Sequence, residues 1–174
     1  VAHSMGGWVT MEALRQLAMT GRPDLDGKLR DVVLASPDID VDIFKSQMKR
    51  IGVPERPYFV LYSGDDQALR LSSLIAGNRP RVGDYSDAAE IAKLGVIAVD
   101  ASGLKAGGPL NHTRFADNPL LVRMLGERLG DDRAFEGSDG EITEGINALA
   151  RGVVGAGEFI VTTPFKVLRI AVGD

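Results

Sequence analysis

Short apolar runs rich in β-branched and aromatic residues alternate along this chain with amphipathic stretches of helical period, and that alternation restricts the fold more than any other feature. It predicts an α/β class: a mostly parallel sheet whose strands are joined by helical crossovers, with helices on both faces. Val1-Ala2 reads as the end of a strand. A helix over Gly6 to Thr20 follows, with Met11, Leu14 and the Leu17/Ala18 pair on one face and Gly21 and Pro23 beyond its end. Asp31 to Ser36 is the next strand, apolar through Val32, Val33, Leu34 and Ala35, as in a strand covered on both sides. Asp42 to Ile51 is helical, with Phe44, Met48 and Ile51 aligned and Gly52 and Pro54 as stops. Tyr58 to Ser63 makes a third strand, Ala68 to Ala76 a helical stretch and Asn78 to Asp84 a loop. Asp87 and Glu90 have the spacing of a capping box for a helix ending at Gly95, and Val96 to Asp100 is the fourth strand.

A helix over Pro119 to Leu129 closes this unit, so residues 1–129 read as one core. Residues 130–141, rich in Gly and Asp, read as a linker. Residues 142–174 form a C-terminal extension with a weakly amphipathic helix and a β-prone piece, Phe159 to Val172, interrupted by Pro164. No role is read from that extension.

A net charge of −4 provides no broad field for phosphates or anionic lipid, and Arg79 and Arg81 are too isolated to make a basic stripe, so nucleic acid is not an expected partner. Without cysteine there is no disulfide framework, thiol nucleophile or zinc–thiolate site. Neither a metal nor a cofactor is expected, and cytoplasm and periplasm both stay open. No run of 18 apolar residues predicts a transmembrane segment in this chain. A start at Val1 rather than Met, with no leader, creates the expectation that something upstream is missing.

Ala2-His3-Ser4-Met5-Gly6 joins the strand stump to the first helix. A serine in so tight a strand-to-helix turn is forced toward an unfavourable backbone conformation, tolerable when residues two before and two after are small; Ala2 and Gly6 meet that condition. The turn lifts the Ser4 hydroxyl clear at the carboxyl edge of the sheet, at the positive end of a helix. The Met5 amide then faces the place where an acyl oxyanion develops. His3 is expected to pack or hydrogen-bond beside the elbow rather than to serve as base.

A serine nucleophile needs an imidazole to take its proton and a carboxylate to orient that imidazole. The other histidine, His112, lies in the loop Gly107-Gly108-Pro109-Leu110-Asn111-His112 after the fourth strand, at the edge to which Ser4 is delivered. For the acid, the third strand runs into Gly64-Asp65-Asp66, and Asp66 is the choice, with Asp65 its close rival; either could instead cap the helix that follows. Asp38, in Ser36-Pro37-Asp38-Ile39-Asp40, is a further alternative acid, while Asp40 and Asp42 are expected to cap a helix.

On these residues the chain resembles the α/β-hydrolase superfamily over about Val1 to Leu129. Its segments Val1 to Gly6, Ala35 to Asp42 and Leu110 to His112 resemble a bacterial α/β-hydrolase family of unassigned function. The resemblance implies a mostly parallel eight-stranded sheet in which Val1-Ala2 ends the fifth strand. It also implies ester-hydrolase chemistry without a cofactor but names no substrate; hydrolysis of a carboxylic ester or thioester is the expected reaction, with a small-molecule acyl ester as the expected partner. The family's first four strands and its second oxyanion-hole amide have no counterpart in these residues, so the missing N-terminal half, or a second chain, is expected to complete the sheet. Two other readings use the same fold: a catalytically silent binding or assembly module, and an acyltransferase.

Overall fold

Four strands of the computed structural model run parallel and lie side by side in chain order: β1 (Ala2–His3), β2 (Val33–Ala35), β3 (Tyr58–Tyr62) and β4 (Val96–Asp100). The structure describes residues 1–103, 110–117, 122, 126, 157–163 and 167–172. Between strands come the helices α1 (Met5–Met19), α2 (Val41–Ile51), α3 (Gln67–Ile75) and α4 (Ala88–Ala92), as the alternation requires. A one-turn helix, α5 (Arg114–Asp117), follows the loop that carries His112.

Leu34, Val60 and Ala98 occupy one row across the sheet, because Leu34 is opposite Val60 and Val60 opposite Ala98. They bury themselves against Met11 and Leu14 of α1, Phe44 and Met48 of α2 and Ile91 of α4. Fully burying each such side chain stabilises the fold by roughly 1.5–3 kcal/mol. The intervening residues Val33, Phe59, Leu61, Ile97 and Val99 face the other side and are buried too. Burial on both faces is why these strands read as continuous apolar runs instead of alternating ones.

Local chemistry sets the element ends. The Asp40 carboxylate caps α2 by accepting from the amides of Asp42 (2.9 Å) and Ile43 (3.2 Å), and Gly52, at φ 85°, terminates it. Asp42 adds negative charge to the first turn rather than a cap. Ser36, at φ 43°, turns the chain out of β2, so this strand stops at Ala35, short of the expected Ser36. The capping box expected at α4 is half made. Asp87 accepts from the Glu90 amide at 3.0 Å, but the Glu90 carboxylate goes to Lys45 Nζ (2.7 Å) and the Tyr85 hydroxyl (2.5 Å). A charge-assisted bond to an ammonium outcompetes one to a backbone amide.

The tail adds two strands, β5 (Gly157–Thr162) and β6 (Val167–Val172), to the same sheet. β5 pairs antiparallel with β4, Asp100 opposite Ile160, and β6 pairs antiparallel with β5. Val161 and Thr162 are buried there. The expected helix over 119–129 (apart from Val122 and Gly126), the linker at 130–141 and the helix early in the tail lie outside the described residues, as does Gly107-Gly108-Pro109.

Candidate active site

Ser4 sits between β1 and α1 at φ 53° and ψ −127°, a conformation that costs a non-glycine residue about 1–3 kcal/mol. Neighbouring backbone holds it there: its N–H donates to Ala35 O at 3.0 Å, and its carbonyl accepts from Gly7 N (3.0 Å) and Asp38 N (3.2 Å). A serine at a helix N-cap ordinarily spends its hydroxyl on the first turn. Ser4 makes no such bond. The Met5 amide, first in α1, has no intrahelical acceptor one turn back, and it lies at the positive end of the helix.

The tight approach expected at Gly6 falls one residue later. A Cβ on Gly6 would meet nothing within 4 Å, whereas on Gly7 it would lie 3.2 Å from Pro37 Cβ and 3.6 Å from Ile39 Cδ1. The helix carrying the elbow presses on the Pro37–Ile39 turn through Gly7, while Gly6 faces away from it.

Asp66 leaves the end of β3 and is fully buried. Its Oδ1 accepts from Leu69 N at 3.0 Å, capping α3, and its Oδ2 lies 2.7 Å from His112 Nδ1. One oxygen thus caps the helix while the other meets the imidazole, so the two contacts do not compete. With Nδ1–H donated to Asp66, the Nε2 of His112 is left as the basic nitrogen. Ser4 Oγ and His112 Nε2 make no hydrogen bond, so the structure joins the expected carboxylate to the expected imidazole but does not join the serine to them.

The two alternative acids face guanidinium groups. Asp65 takes Arg114 in a bidentate pair, Nη1 to Oδ1 at 2.8 Å and Nη2 to Oδ2 at 2.7 Å, and also accepts from Ser63 Oγ and, at 3.0 Å, Asn111 Nδ2. The Arg114 hydrogen bonds hold the Asp65 carboxyl below the usual carboxylate range. Asp38 accepts from Ser72 Oγ at 2.9 Å through both oxygens. Arg81 Nε is within ion-pair range of Asp38 at 3.2 Å but is not aligned for a hydrogen bond. Of the three carboxylates, Asp66 is the one that touches the imidazole.

Sequence reasoning passed over several neighbours of this pair. Arg114, almost completely buried, also donates to Ala101 O at 2.9 Å and to Ser63 Oγ. Asn111 holds φ 57°, a left-handed conformation that Asn tolerates, and so turns the loop immediately before His112. The Asn-His dipeptide was the available signal. Gly83 donates to Pro37 O and accepts from Ser63 N, and a Cβ there would be 2.5 Å from Leu69 Cδ1 and 2.7 Å from Ser36 C. The adjacent Asp84 is pushed above the usual carboxylate range by burial, with the charges of Asp66 and Asp65 acting in the same direction. His3 donates through Nε2 to the His112 carbonyl at 3.2 Å, with the two rings 4.6 Å apart between centroids.

A parallel sheet with a strained serine between one strand and its helix, and a carboxylate–imidazole pair beyond later strands, defines the α/β-hydrolase class. Residues 1–128 match the model of an alpha/beta hydrolase of unknown function (DUF900), and the chain belongs to that family. Hydrolysis is the kind of activity this membership suggests. Neither a search of curated proteins nor one of solved structures returned a match.

Proposed function

We propose that the protein is a serine hydrolase that cleaves a carboxylic ester or thioester through an acyl-enzyme on Ser4, with His112 as base and acid, Asp66 as orienting carboxylate and the Met5 amide as an oxyanion donor. The observation that carries the reading is the 2.7 Å contact between buried Asp66 and His112 Nδ1. It leaves Nε2 free to accept a proton, and the Ser4 hydroxyl is not committed to capping its helix.

In this reading Ser4 Oγ attacks the acyl carbon while its proton passes to His112 Nε2. The carbonyl oxygen becomes an alkoxide facing the Met5 amide and the positive end of α1. Collapse breaks the bond to the alcohol or thiol, and the imidazolium returns the proton to that leaving group. Water then adds to the acyl-enzyme, giving its proton to His112, and the carboxylic acid departs as Ser4 is reprotonated. Atoms and charge balance without a metal or cofactor.

Hydrolysis of a short series of p-nitrophenyl esters and acyl thioesters by the wild type and Ser4→Ala tests this. Loss of the nucleophile is expected to lower kcat by on the order of 10⁴-fold or more. Equal rates for the two folded proteins would refute the reading.

A further inference from the structure

The loop bearing His112 is fastened to the rest of the site at several points, and one fastening comes from the elbow itself. Leu110 O accepts from Gln67 N at 3.1 Å, Asn111 Nδ2 donates to Asp65, and the His112 ring is held by Asp66. All three tie the loop to the end of β3. Among the described residues only the fourth, His3 Nε2 to the His112 carbonyl at 3.2 Å, ties it by a hydrogen bond to β1, one peptide bond from Ser4 and across 109 residues of sequence. A carbonyl only accepts, so Nε2 of His3 carries the hydrogen.

We propose that His3 is a positioning residue: by donating to the main-chain carbonyl of His112 while stacking obliquely on its ring, it sets the separation between nucleophile and base. The role rests on the serine-hydrolase reading. Asp66 fixes which way the imidazole is turned but leaves its distance from the elbow to the loop. His3 fixes that distance, because its own backbone moves with Ser4.

Histidine suits the task for a chemical reason. The base must become an imidazolium during each half-reaction, and a permanent cation in direct contact would oppose that charge. A neutral imidazole supplies the N–H without it. Among the described residues, the groups facing the His3 ring are His112 at 4.6 Å, Phe115 at 4.7 Å and, at longer range, the Asp66 carboxylate. Burial keeps His3 below the usual imidazole range, which favours the neutral donor. Simple apolar packing against Phe115 would need only a flat ring, and that difference makes the two roles separable.

The test compares the full chain as wild type, His3→Phe and His3→Gln. Phe keeps a ring without a donor, and Gln places an N–H near the imidazole Nε2 without a ring. The readouts are the second-order rate of Ser4 modification by an alkyl fluorophosphonate and the ring-nitrogen shifts of His3 by ¹⁵N NMR. His3→Phe is expected to react about tenfold more slowly than wild type at unchanged folded fraction, and His3→Gln to recover most of that loss. Phe reacting as fast as wild type, or Gln as slowly as Phe, would overturn the positioning role while leaving the hydrolase reading intact. If His3→Phe fails to fold, the wild-type spectrum decides: the expected result is the Nε2–H tautomer, and a bare Nε2 overturns the proposal. A folded wild type that never reacts at Ser4 overturns the hydrolase reading, and the role of His3 with it.

Discussion

Asp66 Oδ2 and His112 Nδ1 lie 2.7 Å apart although 46 residues separate them, and the carboxylate that makes this contact is entirely shielded from solvent. Its other oxygen is fixed by the Leu69 amide, so the carboxylate cannot rotate without uncapping α3. Replacing Asp66 with Asn preserves the shape but presents a donor to the ring and favours the wrong tautomer. Steady-state ester hydrolysis by Asp66→Asn should show kcat reduced by about 10³–10⁴-fold.

Asp65→Ala should act on stability instead. It strips Arg114, itself buried, of a bidentate partner, and Arg114 Nε already has no hydrogen-bond partner. A loss of about 2 kcal/mol or more is expected by urea titration, because an unpaired buried guanidinium keeps its desolvation cost. Arg114→Met, which removes the charge as well, should be milder than Asp65→Ala; the reverse order would argue that the pair contributes little.

Two glycines separate contact from mere smallness. At Gly83 a new Cβ would fall 2.7 Å and 2.8 Å from backbone atoms of Ser36 and Pro37, which cannot swing aside. Gly83→Ala should therefore destabilise by about 1–3 kcal/mol. Gly6→Ala adds a methyl to open space within a helix and should be neutral or stabilising by up to about 1 kcal/mol. Chemical denaturation of both variants checks the contrast.

Much of this arrangement is written locally. The apolar runs of β2, β3 and β4, the stop at Gly52 and the Asp40 cap each follow from a few adjacent residues, as does the small-residue turn around Ser4, whereas α4 ends at Ala92, short of the expected Gly95. Asp65 and Asp66 follow the same strand and look alike in sequence; what separates them is spatial, since Arg114, 49 residues away, pairs with Asp65 while Asp66 contacts His112. The His3 bond to the His112 carbonyl has no sequence signature, because main-chain acceptors look alike in every sequence. Gly7 and Gly83 were equally hidden, as their neighbours at Pro37 and Ser36 come from other turns. The antiparallel placement of β5 on β4 needed the register itself, which the pattern of Phe159 to Val172 does not contain.

Stability should fall on mild acidification in a way that depends on His3. Its folded-state value is depressed by burial, so between that value and the ordinary imidazole value of about 6.5 the unfolded chain binds more protons than the native one. The native state is accordingly favoured above that window and loses stability as pH drops through it. Urea midpoints at pH 7.5 and 5.5 for wild type and His3→Gln measure the difference, and the wild type should lose more across that interval.

The most direct measurement is the site of covalent capture: incubate the folded protein with a fluorophosphonate, digest it and locate the adduct by peptide mass spectrometry. One phosphonyl group on the Ser4 peptide, absent from His112→Ala treated in parallel, is the expected result. A folded protein that carries no adduct on Ser4, or labels equally well without the imidazole, would contradict a nucleophile activated by His112.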